Sequence, residues 1–154
     1  MHRLVVQRAA MLFAGATLFS VALLMGSSTE AEAQTATDQQ VVNEARSWLG
    51  TPYVFGGPAA ATRAGVDCSG FTMRVMEQFG VSLPYSPAAQ YSYGTPSGAE
   101  AGDLVFFTDG TASIVNVGIA TGEGTVISAN HYTGGVVEVP IGYYDGYVGA
   151  KDVV

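Results

Sequence analysis

Asp67-Cys68-Ser69-Gly70-Phe71-Thr72-Met73-Arg74-Val75-Met76-Glu77-Gln78-Phe79-Gly80 is the stretch on which the fold turns. Phe71, Val75 and Phe79 recur at i, i+4 and i+8, which puts three apolar side chains on one face of a helix. Asp67 reads as the N-cap of that helix and Gly80 as its stop. The first turn therefore holds Cys68, the only cysteine of the chain. Unpaired backbone N–H groups and the positive end of the helix dipole favour an anion there, so a thiol in this place is expected to have a lowered pKa. The charge of Asp67 works slightly against that. A lone cysteine closes no internal disulfide, and packed thiol, intermolecular bridge and reactive thiol all remain open on the residues alone.

Upstream, Val41, Val42, Ala45, Trp48 and Leu49 recur at helical spacing before Gly50, with Trp48 expected in the core. Thr37 reads as the N-cap of this helix, with Gln40 completing a capping-box pattern. Thr51 to Pro58 is a turn-rich loop, and Ser86-Pro87 opens a short helical turn before Gly94. From Asp103 the pattern changes. Leu104 to Phe107, Val115 to Ala120, Thr125 to Ala129 and Val136 to Val139 are short apolar or β-branched runs, and Tyr147 to Val154 is a candidate last strand. Asp103 and Asp109 read as a strand-start and a turn residue. Helices followed by neighbouring strands predict an α+β domain with an antiparallel sheet.

The ends and the charge narrow the setting. Met1 to Arg8 carries Arg3 and Arg8, an uncharged run follows from Ala9 to Met25, and Ala31-Glu32-Ala33 is a small-x-small signal. This order predicts a signal peptide over 1–33, cleaved after Ala33, against an uncleaved anchor as the alternative. A short tether over 34–37 and a single domain over 38–154 follow. The expected location is secreted, or periplasmic and cell-wall associated, with no membrane insertion after cleavage and a monomeric state. The chain from Gln34 keeps a net charge of −7 with no basic cluster, which argues against nucleic acid or anionic lipid as partner.

Three motifs, the opening one among them, carry a resemblance. Pro52-Tyr53-Val54-Phe55-Gly56-Gly57, Asp67-Cys68-Ser69-Gly70-Phe71 and Gly102-Asp103-Leu104-Val105-Phe106-Phe107 stand in the order and spacing of the NlpC-type cell-wall cysteine peptidases, which the chain resembles from about Asp38 to Val154. Asn116-Val117-Gly118-Ile119 and Gly134-Gly135-Val136-Val137 continue the likeness. It implies a papain-like fold, with helices packed on a small antiparallel sheet, and hydrolysis of peptidoglycan stem peptides between D-glutamate and the diamino acid. By that resemblance Cys68 is the nucleophile, Tyr53 lies beside it, and Asp67 and Ser69 help hold the free amine end of the stem peptide.

The departures are as informative. The family's histidine at the start of the His-Val-Gly-Ile strand is Asn116 here, and its third polar residue is Ser128. An amide cannot take the thiol proton at neutral pH, so the Cys–base pair is broken as written. His131, the only histidine after residue 2, lies three residues past Ser128 and is the candidate substitute base. Two readings follow. One is a working cysteine endopeptidase with a relocated base or a weakly used thiolate. The other is a catalytically impaired relative that binds stem peptides or regulates another wall hydrolase. A thiol-dependent acyl transferase would need a base just as much.

Other chemistries find no support. One cysteine and one histidine without a carboxylate cluster at ligand spacing do not make a zinc site. Gly56-Gly57 lacks the strand and lysine of a phosphate loop, and a glycosidase needs two facing carboxylates. Neither metal nor cofactor is expected.

Overall fold

The computed structural model describes residues 16–56 and 61–154. The basic start of the expected signal peptide, the first part of its apolar run, and Gly57 and Pro58 lie outside the described residues. Two compact units divide the chain at residues 34 and 35. Helix α1 runs Ala16–Arg46. Among the described residues no helix is long and apolar enough to cross a membrane. Residues 34–37 are thus helical, and Thr37 is inside a helix rather than at its cap. The segment 16–46 contains no proline and is rich in Ala, Leu, Glu and Gln, so helix propagates through the capping pattern instead of starting at it.

The second unit, residues 35–154, holds the predicted α+β architecture. The last turns of α1 bury Val41, Val42 and Ala45. Gly50, at φ 85°, lets the chain turn away from the helix. Trp48 is buried and meets Phe71 edge-on at 6.1 Å, while the Arg63 guanidinium lies 3.9 Å over its ring. A two-stranded antiparallel ribbon, β1 (Ala61–Thr62) and β2 (Gly65–Val66), leads into α2, Cys68–Glu77. The short α3, Pro87–Gln90, is capped by Ser86, as its Ser-Pro start predicts.

Six antiparallel strands complete the unit: β3 (Thr95–Ser97), β4 (Leu104–Thr108), β5 (Ile114–Ala120), β6 (Thr125–Asn130), β7 (Gly135–Pro140) and β8 (Tyr147–Asp152). Their order in the sheet is β3-β8-β4-β5-β6-β7. Four expected strands and the candidate last one are present within a residue or two of their predicted ends; β3 was not expected. Alternation divides the sheet's side chains between two faces. Leu104, Phe106, Val117, Ile119, Ile127 and Ala129 join the core with α1 and α2. Val105, Phe107, Ala120, Val126 and Ala150 form a smaller cluster covered by Ile141 and Tyr144.

Two glycines permit contacts that place the site. A Cβ at Gly118 would lie 2.9 Å from Ser128 Cβ and 2.7 Å from Ile127 O, so its absence lets β5 and β6 close up beside Asn116. A Cβ at Gly135 would lie 2.3 Å from Thr51 O. That close approach lets residues 50–53 run along the outer edge of β7, through Gly50 N–H to Val136 O (3.0 Å), Val136 N–H to Thr51 O (2.9 Å) and Tyr53 N–H to Gly134 O (2.9 Å).

Candidate functional site

Asp67 caps α2 as its position predicts, with extended backbone and Oδ1 accepting from Gly70 N–H at 2.8 Å. Its other oxygen accepts from Gly56 N–H at 3.2 Å and from the Tyr85 hydroxyl. Burial, and then the bond to Asp67, raise the Tyr85 pKa well above the ordinary phenol value. Ser69 is buried in the same turn. Its carbonyl accepts from Gln90 Nε2 at 3.0 Å, and Gln90 also donates to Pro84 O (2.9 Å) and accepts from Thr72 Oγ1 (2.7 Å). Gln90 is fully buried, so this amide ties the Cys68 turn to the 84–86 segment. Sequence reasoning missed both Tyr85 and Gln90; a lone Tyr and a lone Gln between prolines and alanines carry no period and no spacing that would single them out.

Cys68 is partly exposed, and its Sγ lies 3.9 Å from Val115 O. Its pKa is pushed up to about 11, against the lowering that the helix N-terminus led us to expect. Desolvation is the main cause and the Asp67 charge acts in the same direction; backbone N–H groups of the turn and of Val117 oppose them without prevailing. Packing around the partly exposed sulfur costs the thiolate much of its water, and among the described residues no cation acts on it in return.

Asn116 occupies β5 where a base would be needed and is 7% exposed. Its Oδ1 accepts from its neighbour Val117 N–H at 3.0 Å and from Ser128 Oγ at 3.2 Å, and the Ser128 hydroxyl has Val117 O at the same distance. Asn116 Nδ2 is buried with no hydrogen-bond partner among the described residues. The structure thus brings Asn116 and Ser128 together as an amide–hydroxyl pair.

Cys68, Asn116, Tyr53 and His131 line one cleft of about 770 Å³, which continues past Tyr132 to Tyr143 and Tyr144. Tyr53 is half-buried, its pKa raised by desolvation and then by the charges of Cys68 and Asp67. His131 is exposed on the loop after β6, 6.0 Å from the Tyr53 ring centroid and 3.7 Å from that of Tyr132. It shares the cleft with Cys68, but the hydrogen-bond contact of the thiol is to a backbone carbonyl and not to an imidazole. Asp67 and Ser69 flank Cys68 in the chain; the Asp67 carboxylate is taken up by Gly70, Gly56 and Tyr85, and the Ser69 carbonyl by Gln90. Among the described residues no group of three His, Cys, Asp or Glu side chains stands ready to hold a metal ion.

Comparison with known proteins agrees with this fold. The model of the NlpC/P60 family matches residues 50–148. The chain is 44% identical over 108 residues to a probable endopeptidase of Corynebacterium glutamicum, covering 64% of this chain and 47% of that protein. It is 30% identical over 125 residues to the gamma-D-glutamyl-L-lysine dipeptidyl-peptidase of Bacillus cereus, covering 76% of this chain and 37% of that one. The chain therefore spans half or less of the length of these relatives. Among solved structures, the NlpC/p60 domain of the peptidoglycan hydrolase SagA superposes with a TM-score of 0.66 at 33% identity, covering 75% of this chain and 98% of that domain. By its matched span and by its fold, this chain belongs to the NlpC/P60 family.

Proposed function

We propose that this chain is an exported cell-wall protein that holds peptidoglycan stem peptides in the Cys68 cleft and cuts them slowly, as a cysteine endopeptidase without its ordinary base. The carrying observation is one cleft lined by a thiol pushed up to about 11 and, where a base would be needed, by the amide of residue 116. At pH 7 such a thiol is ionised in roughly one molecule in ten thousand, and neither Asn116 nor Ser128 accepts its proton. The family and its peptidase relatives support the substrate class. The open, aromatic-lined cleft supports binding, and the undamaged Asp67–Gly70 turn supports residual chemistry. The bond between D-glutamate and the diamino acid is the proposed point of attack. Export rests on the basic, apolar and small-residue order of the first 33 residues.

One observation favours a faster enzyme: His131 lines the same cleft as Cys68 and lies on the Tyr53 side of it. In this reading the loop brings the imidazole to Sγ when substrate binds.

The test is to incubate the chain from Gln34 with purified muropeptides, beside Cys68→Ala and His131→Ala, and read products by mass spectrometry and binding by calorimetry. Slow cleavage abolished by Cys68→Ala and little changed by His131→Ala is the expected result. Cleavage lost in both variants establishes the relocated base. A folded protein that neither binds nor cuts muropeptides overturns the proposal.

A further inference from the structure

Asn116 marks more than the place of a missing base. Its Oδ1 is held by Val117 N–H and Ser128 Oγ, so the amide plane is fixed and Nδ2 is the end left over. A buried N–H donor without a partner is costly and uncommon in folded proteins. A second such group stands close by. Asn116 faces Phe107 across the β4–β5 ladder, and the Phe107 ring meets Tyr144 edge-on at 5.3 Å. The Tyr144 hydroxyl lies near Ser128 and Thr133, and it too is buried without a well-formed hydrogen bond. Asn116 and Tyr144 both line the cleft that holds Cys68.

Two buried donors without a well-formed hydrogen bond therefore border the cleft that Cys68 also lines, and both stand beside the same serine. Neither is basic and neither is charged at neutral pH, so the chemistry they fit is an oxygen acceptor on a ligand. We propose that Asn116 Nδ2 and the Tyr144 hydroxyl form a two-donor site that takes a carbonyl or carboxylate oxygen of the bound peptide. The substitution at 116 then exchanges a proton acceptor for a hydrogen-bond donor, and turns the position from catalysis to recognition. Ser128 and Tyr144 act together in this: the serine orients the amide, and the tyrosine supplies the second donor. The inference rests on the reading that the cleft takes stem peptides.

The test uses the full chain carrying Cys68→Ala, so that no turnover intrudes, and L-Ala-γ-D-Glu-L-Lys as probe. Its α-amidated counterpart separates a carboxylate acceptor from a carbonyl one. Asn116→Asp keeps the oxygen that accepts from Val117 and Ser128 and replaces only Nδ2. Binding by calorimetry is expected to weaken roughly 10- to 100-fold in Asn116→Asp at pH 7 and roughly 10-fold in Tyr144→Phe. Relative to the Asn116 protein, Asn116→Asp should regain affinity as pH falls and the new carboxyl becomes an O–H donor, which a purely structural effect would not reproduce. Equal losses for acid and amide probes indicate a carbonyl; a larger loss for the acid indicates the carboxylate. Failure of the Asn116 protein to bind either probe overturns the stem-peptide reading and this inference with it. Binding that both variants leave unchanged overturns this inference alone.

Discussion

If the proposed function holds, replacing Asn116 by His should speed cleavage. The thiol at about 11 leaves roughly 10⁻⁴ of the protein as thiolate at pH 7. A histidine at 116 would stand on a strand whose neighbours Val117 and Ser128 already hold the side chain at 3.0 and 3.2 Å, so its ring meets a fixed orienting hydroxyl. A positioned general base is worth about 10²–10⁴ in rate. Pairing with an imidazolium also draws the thiol pKa down. Cleavage of muropeptides, followed by mass spectrometry, should therefore rise by about 10²–10⁴, and alkylation of Cys68 by iodoacetamide should shift its midpoint to lower pH. Because serine is a modest orienter, Asn116→His with Ser128→His should exceed the single variant. If both variants fold and bind peptide yet cut no faster, the absent base is not what limits this protein, and the argument from the raised thiol fails.

Three further outcomes are expected. In the unaltered chain, alkylation of Cys68 should accelerate about tenfold per pH unit from 7 until it levels near 11. Because the folded thiol titrates above its ordinary value of 9.0, the stability it contributes is full below pH 9 and declines towards pH 11; denaturation of Cys68→Ala should lack that decline. Glu138 receives Arg46 through two bonds of 3.0 Å, which lowers its pKa from 4.5. Glu138→Gln should cost about 1 kcal/mol at neutral pH by thermal melting, and the difference should vanish in acid as Glu138 becomes protonated in the native protein. Gly135→Ala drives a methyl into Thr51 O, which stands 2.3 Å from the new Cβ. It should destabilise by about 1–3 kcal/mol in urea and displace Tyr53 from His131, seen as altered ring-proton shifts.

What could be read from the sequence was local. The α2 helix, its Asp67 cap and the strands from Leu104 onward declare themselves by spacing and by β-branched runs, because each is decided within about ten residues. The β3 strand did not, since Thr95–Ser97 carries a proline and is a strand only through pairing with β8, more than fifty residues on. Thr37 misled because a capping pattern names a possible start and cannot forbid a helix from arriving there already formed. At the site, residue identities were legible through the family resemblance, but the sign of the Cys68 shift was not. Helix dipole and desolvation oppose each other there, and the balance depends on how closely β5 covers the thiol. Tyr85, Gln90 and the unpaired ends of Asn116 and Tyr144 become visible only when distant segments meet.

The way the chain passes along β7 has a consequence for its life outside the folded domain. Sheet edges invite other strands to add on, a hazard for any protein that carries an open sheet. Here one edge strand, β3, is three residues long and carries Pro96, which offers no N–H. At the other edge, Val136 spends its outward N–H and C=O on Thr51 and Gly50, and the strand closes with Pro140. Both borders of the sheet are thereby poor templates for a further strand, so the same segment that brings Tyr53 beside Cys68 also protects the protein against edge-to-edge aggregation.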